Sequence, residues 1–440
     1  MGSGYFVRVA EARGFNPDNI FQYRACRYCD WAIDLARGQE GEEYEIMRLS
    51  FAIKVRLFLT FAMVFGMLQA GFARERGPRV EVVCPSSPIP VKLAERNVLA
   101  YELHITNFDV VPLTLKRLEV FADADKSQPL KTISGDALSA TMLEVGSSSG
   151  AKDSQIIGPG RRAVVFLWIE LGLDTRRLDT RPPSTLSHRL VFAAGAPGEG
   201  AGSATAESTL EDFSVLVSQD AVPVISAPFD GGVWVAGDGP ANDSSHRRSI
   251  SAIDGQIHIA QRFAADWVKV GPNGDSNHDG TTRNEDWWGY GEPIHAVADS
   301  EVTQVLDGIP ENTPRVLPKQ VTLDNIVGNY VILRIAPNRY VTYAHLQTGS
   351  IKVAVHDHVA RGTIIARLGN TGQATAPHLH FQVTDGNSVL QSEGVPFIFS
   401  TFTDLGPGSD YELDKHPSIP RTDSIPGKDE VVDFPLMKQQ

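Results

Sequence analysis

The stretch VLAYELHIT at residues 98–106 alternates in character. Leu99, Tyr101, Leu103 and Ile105 are apolar and interleave with Ala100, Glu102, His104 and Thr106. A period of two is that of a half-buried β-strand. LTLKRLEVF (113–121) alternates too, but its phase shifts between Leu115 and Leu118, which predicts a bulge. AVVFLWIEL (163–171) and HRLVFAA (188–194) read as further strands, and pieces such as GSSSGAKD and GAPGEGAGSA separate them. The pattern predicts a β-sandwich of immunoglobulin-like kind over residues 85–220. Nothing in it looks catalytic: His104 and His188 are isolated and read as surface or core residues.

SQDAVPVISAPFDGG, with Pro223 and Pro228, reads as a linker to a second β-rich domain at 229–402. After residue 405 the chain is rich in Pro, Asp and Ser, and is expected to be a flexible tail to residue 440. A chain of 440 residues, 42% hydrophobic, can fill two or three such cores. The expected fold class is therefore mostly β.

The first 46 residues differ from the rest. Met47 is followed by Arg48, Lys54 and Arg56, then an apolar run from Leu57 to Leu68, then Gly71 and Ala73 at a cleavage-like spacing. Residues 47–73 thus read as a secretory signal peptide, with residues 1–46 a non-native upstream extension. The apolar run is short of the roughly 20 residues that a membrane span needs, although an anchored protein with a cytoplasmic arm is the alternative. No cysteine follows at once, so a lipid anchor is not expected. The mature protein would be secreted or periplasmic. Cys26 and Cys29 form a lone CxxC, a weak metal or redox signal. Export would leave Cys84 alone, without an intramolecular disulfide. The net charge of −13 and the lack of a basic stripe argue against nucleic-acid partners.

Nine of the twelve histidines lie between residues 246 and 380. His378 and His380 in TAPHLHFQV stand two residues apart, so on a strand they share a face about 7 Å apart, while Leu379 and Phe381 turn away. Such a pair can bind a metal and move a proton. Catalytic zinc takes three ligands from His, Asp or Glu, leaves a position for water, and lowers that water's pKa towards 7.

Residues 289–383 resemble the lysostaphin-like (LytM-type) zinc endopeptidases that cleave peptidoglycan peptides. GYGEPIHAVADSEVTQV is similar to the family's strand pair. VGNYVILRIAPNRYVTYAHLQTGSI is similar to its central hairpin with the YxHL motif, and VHDHVARGTIIARLGNTGQATAPHLHFQV to its closing segment. The resemblance implies an antiparallel β domain with a groove over one zinc ion and peptidoglycan stem or cross-bridge peptides as substrate. It also implies His380 as ligand. His378 and His345 would sit over the open position, one as general base and the other polarising or stabilising the oxyanion; His378 is the expected base. His356 and His358 have no family counterpart and read as surface residues.

The family pattern HxxxD, in which both residues bind metal, is met only in its aspartate, Asp266. The residue four earlier is Arg262, a cation that cannot ligate. His246, His258 or His278 could substitute. A hairpin turning at Asp254-Gly255 would place His246 opposite Phe263, about 10 Å from Asp266, and leave His258 about 26 Å away. The expected metal set is therefore His246, Asp266 and His380, with His258 next in line. The broken motif also leaves open a metal-free domain that binds or activates a partner hydrolase. A β-rich scaffold with incidental histidines is the remaining alternative.

Asp275, Asn277, Asp279, Gly280 and Asp286 have the spacing of a calcium loop, although Arg283 and Thr282 fit it poorly and no flanking helices are evident. The alternative is an acidic surface insertion. Trp287, Trp288 and Tyr290 could wall a substrate groove or pack as core.

Overall fold

Strand Arg96–Asn107 is the spine of the first half. It pairs antiparallel with Arg162–Leu171, from Asn97↔Leu171 to Thr106↔Arg162. Val80–Val83, Val91–Leu93 and Met142–Glu144 complete its sheet. A second antiparallel sheet runs Glu207–Leu216, Thr185–Ala194, Leu113–Ala122, Lys131–Ser134, with Ile156–Ile157 on Leu113–Ala122. Leu99, Tyr101, Leu103 and Ile105 from the first sheet share one buried core with Leu118, Leu190 and Phe192 from the second. The register shifts between Leu115 and Arg117, where the phase change predicts a bulge, and so Leu115 and Leu118 both reach this core.

The structure, a computed structural model, describes residues 77–123, 125–146, 155–171, 182–195, 207–272, 274–278, 282–316, 318–408 and 416–436. The expected signal segment, the upstream extension and the CxxC lie outside the described residues. Arg76–Gln440 groups as one compact unit. No described helix is long and apolar enough to cross a membrane.

One expectation for the first strand needs correction. Arg96–Asn107 is buried on both faces: Glu102 is 1% and His104 4% exposed. Val98 and Ala100 belong to a different core, shared with Trp234, Trp267 and Phe381 of the second half. The residues alternating with Leu99 and Tyr101 thus face a neighbouring part of the protein rather than water.

The second half is built on an eleven-stranded sheet. Its central order is Glu430–Phe434, Gly232–Gly237, Ala265–Lys269, Leu379–Thr384, Arg339–Leu346, Asn329–Ala336, Ser300–Leu306. These pairings are antiparallel. Val224–Ile225, from the expected linker, adds a short parallel strand against Ile398–Pro407. The segment likened to a strand pair divides: Pro293–His295 pairs with Ile364–Arg367, and Ser300–Leu306 with Asn329–Ala336.

The flexible tail expected after residue 405 is a second correction. Ile419–Ser424 pairs with Ile398–Pro407, and Glu430–Phe434 bridges that strand and Gly232–Gly237. Val431, Val432 and Phe434 are at most 1% exposed. Three apolar residues on a short strand gain a place in the core because the sheet they join already exists.

Candidate metal centre

His380 stands directly opposite Asp266 on one side and Ala344 on the other. Leu379 and Phe381, of the opposite parity, are fully buried with Trp267 in the hydrophobic core. Strand pairing alone therefore sets the aspartate beside the histidine: His380 Nδ1 lies 2.9 Å from Asp266 Oδ1.

His246 arrives differently from the sequence expectation. The turn at Asp254-Gly255 forms and pairs Ser251 with His258, but strand pairing ends there. His246 sits instead on a four-residue helix, Ser245–Arg248, and does not oppose Phe263. The Asp238 carboxylate accepts the backbone N–H groups of Ser245 and His246, at 3.0 and 3.1 Å, and so holds the helix start. His246 Nε2 then lies 3.4 Å from Asp266 Oδ1. His246, Asp266 and His380 each offer one ligand atom, all within 4.8 Å of one another. His258 is turned towards Glu393 and His278 towards the Glu285 carbonyl, and neither joins this group.

The hydrogen-bond partners fix which nitrogen of each ring is free. His246 Nδ1–H donates to the Asp238 carbonyl at 3.0 Å, leaving a lone pair on Nε2. His380 is inverted. Gln382 Nε2 donates to the Val389 carbonyl, so its Oε1 can only accept from His380 Nε2–H, at 2.9 Å. That leaves a lone pair on His380 Nδ1. Two nitrogen lone pairs and a carboxylate then converge with no hydrogen between them unless a proton or metal supplies positive charge. In the metal-free chain it is a proton: burial opposes charging of His246, but the hydrogen bond and charge of Asp266 and the charge of Asp238 push its pKa up to about 9. Burial also opposes ionisation of Asp266, yet His378, His246 and His380 hold its carboxyl well below the usual range. A borderline-soft divalent cation with tetrahedral His and carboxylate preference, such as zinc, fits this donor set.

His378 and His345 lie above it. His378 Nδ1–H donates to the Ala376 carbonyl at 2.8 Å, and its Nε2 is 3.6 Å from Asp266 Oδ1. His345 Nδ1–H donates to the Thr371 carbonyl at 2.6 Å, and the two imidazole centroids are 4.7 Å apart. Burial, reinforced by His378 and His380, holds His345 well below the ordinary histidine pKa. The Thr371 carbonyl is set by a tight backbone crossing. Gly372 has φ +71°, and a Cβ there would come within 2.2 Å of the Gly328 nitrogen, so only glycine fits. A groove of about 400 Å³ opens over the cluster, lined also by Ser245, Gln261, Ile326, Gln373 and Leu390.

The calcium expectation falls partly outside the described residues, at Asp279 and Gly280. Of its other members, Asp286 accepts the Arg283 N–H within a local turn, and Asn277 bridges to Trp287. Trp287 is buried and Trp288 packs on Gly271 and the His278 ring, so these two serve as local packing. His356 and His358 are exposed. Sequence reasoning missed Gln382 and Asp238. Gln382 shares His380's strand parity, which is the one signal that could have found it.

Residues 286–391 match the model of peptidase family M23. The chain carries an M23 peptidase domain. His345, His378 and His380 lie inside the matched region, and His246 and Asp266 precede it. A peptidoglycan DD-endopeptidase of Vibrio cholerae, ShyC, is 45% identical over 56 residues, 12% of this chain and 12% of its own. An uncharacterized metalloprotease of Haemophilus influenzae is 32% identical over 80 residues, 17% of this chain and 16% of its own. These matches thus span less than a fifth of the curated relatives' length. Among solved structures, a zinc-containing peptidase from Vibrio cholerae aligns at 16% identity over 69% of this chain and 81% of its own, with a TM-score of 0.22. The catalytic domain of lysostaphin from Staphylococcus simulans aligns at 22% identity over 27% and 86%, with a TM-score of 0.18.

Proposed function

We propose that this M23 protein is an exported zinc-dependent endopeptidase that hydrolyses peptide bonds in bacterial peptidoglycan. The observation that carries the reading is the convergence of His246 Nε2, Asp266 Oδ1 and His380 Nδ1 beneath two further histidines. A metal-free binding domain has no chemical need for five such groups in one groove.

Zinc on the three ligands would acidify a bound water and polarise the scissile carbonyl. His378 is the general base: its Nδ1–H is engaged with Ala376, so Nε2 accepts the water's proton and returns it to the leaving amine. His345 is neutral, with its one N–H donated to Thr371. Its Nε2 can only accept, so it orients the attacking water. This reading departs from the oxyanion-stabilising role expected of His345 from the sequence, because an unprotonated nitrogen has no hydrogen to donate to an oxyanion.

The test is release of soluble peptides from purified peptidoglycan, followed by mass spectrometry. His380→Ala loses both zinc and release. His378→Ala keeps zinc and turns over about 10²–10⁴-fold more slowly. Stoichiometric zinc without release from any peptidoglycan or peptide would favour a domain that binds a partner hydrolase instead.

A further inference from the structure

Arg262, which stands where the HxxxD pattern would place a ligand, is 3% exposed and turned away from the metal centre. Its guanidinium donates to Glu102 at 2.8 Å and to Glu393 at 2.6 Å, with a further bond to the Gly394 carbonyl. Glu102 lies on Arg96–Asn107, in the first half of the chain. The same carboxylate faces a second buried cation, with Arg247 Nη1 2.8 Å from Glu102 Oε1. Arg247 directly follows His246 on the short helix and is fully buried. Its Nη2 also donates to the carbonyls of Tyr101 and Leu167, which face each other across the first sheet.

One carboxylate of the first half therefore holds two of the three segments that deliver metal ligands. Through Arg247 it anchors the helix carrying His246. Through Arg262 it anchors the approach to Asp266, four residues on. The helix itself is too short to hold its own position, and its side chains are the means of fixing it. Arg248 adds a parallel tie, donating to the Ala140 carbonyl.

We propose that Glu102 is a positioning residue for the metal centre, setting His246 against Asp266 by pairing with Arg247 and Arg262. The first half of the chain is then part of the metal site's supporting shell rather than a spacer. The inference rests on the zinc reading above. Partners that orient ligands from behind contribute about 10–100-fold to metal affinity.

The test compares the full chain with Glu102→Gln, which keeps shape and removes charge, and with Glu102→Asp, which keeps charge and shortens the reach. Zinc affinity is measured by chelator competition, and ligand geometry by the visible absorption of the cobalt-substituted protein. Circular dichroism selects conditions in which each variant is folded. The expected result is a 10- to 100-fold weaker zinc affinity with a shifted cobalt spectrum in Glu102→Gln, and a partial recovery of both in Glu102→Asp. An unchanged affinity and spectrum in folded Glu102→Gln would overturn the proposal while leaving the zinc reading intact. Absence of zinc from the unsubstituted protein would overturn both.

Discussion

His246 and His380 present opposite nitrogens to the same carboxylate oxygen, and each is held in that orientation from behind. Asp238 holds His246 through its backbone carbonyl, and Gln382 holds His380 through an amide that Val389 prevents from flipping. Replacing Gln382 by Leu should free His380 to place its proton on Nδ1, facing Asp266. The expected outcome is a zinc dissociation constant raised by about 10–100-fold with the fold retained, read by chelator competition. An unchanged constant would remove Gln382 from this role. At this scale the sequence was informative where chemistry follows strand parity. His378, Leu379, His380 and Phe381 sort into alternate faces from spacing alone. Parity also put Gln382 on His380's side, but nothing in the spacing said that its amide would be pinned. A hairpin extended back to His246 would bring it near Asp266, but the pairing stops at Ser251↔His258. The structure brings it to Asp266 by a helix that no local pattern announced, because two of that helix's anchors are carbonyls of a distant sheet.

Among the elements, strands with strong alternation were legible and the last ones were not. Leu99, Tyr101, Leu103 and Ile105 mark one face of Arg96–Asn107, and the bulge after Leu115 shows as a phase change. The burial of Glu102 was illegible, since a carboxylate on a strand ordinarily marks the wet side. Ile419–Ser424 contains Pro420, which reads as a break, yet a proline is tolerated on a strand with a free edge. Glu430–Phe434 brings a half-buried carboxyl into play. Burial, then the neighbouring charge of Asp404, raises the pKa of Glu430 to about 7, against the pull of the Gly427 N–H and of Arg421. The folded chain thus holds this proton more tightly than the unfolded chain, whose value is near 4.5. The contribution is greatest below pH 4.5 and is lost as pH rises through about 7. Glu430→Gln should therefore match the parent below pH 4.5 and exceed its stability by up to about 3 kcal/mol above pH 7, measured by denaturant titration. Equal stabilities at pH 8 would show that the carboxyl carries no such cost.

For the whole molecule, the two halves share more than a linker. Strand Arg96–Asn107 supplies Leu99 and Tyr101 to one core and Val98 and Ala100 to the other. The linker and the tail add strands to the large sheet. Alternation indicated a mostly β chain and its length gave room for several cores, but periodicity describes one strand at a time and says nothing of which sheets face each other. The proposed metal ligands illustrate the same limit, since His246 and Asp266 lie outside the region matched to the M23 family while His380 lies within it. The central claim is that these three residues hold one zinc ion, and metal analysis of the purified full chain beside His246→Ala tests it most directly. The account predicts about one zinc per chain in the parent and a clearly substoichiometric zinc content in the variant, with an unchanged circular dichroism spectrum. Full zinc occupancy in His246→Ala, or none in the parent, would contradict it.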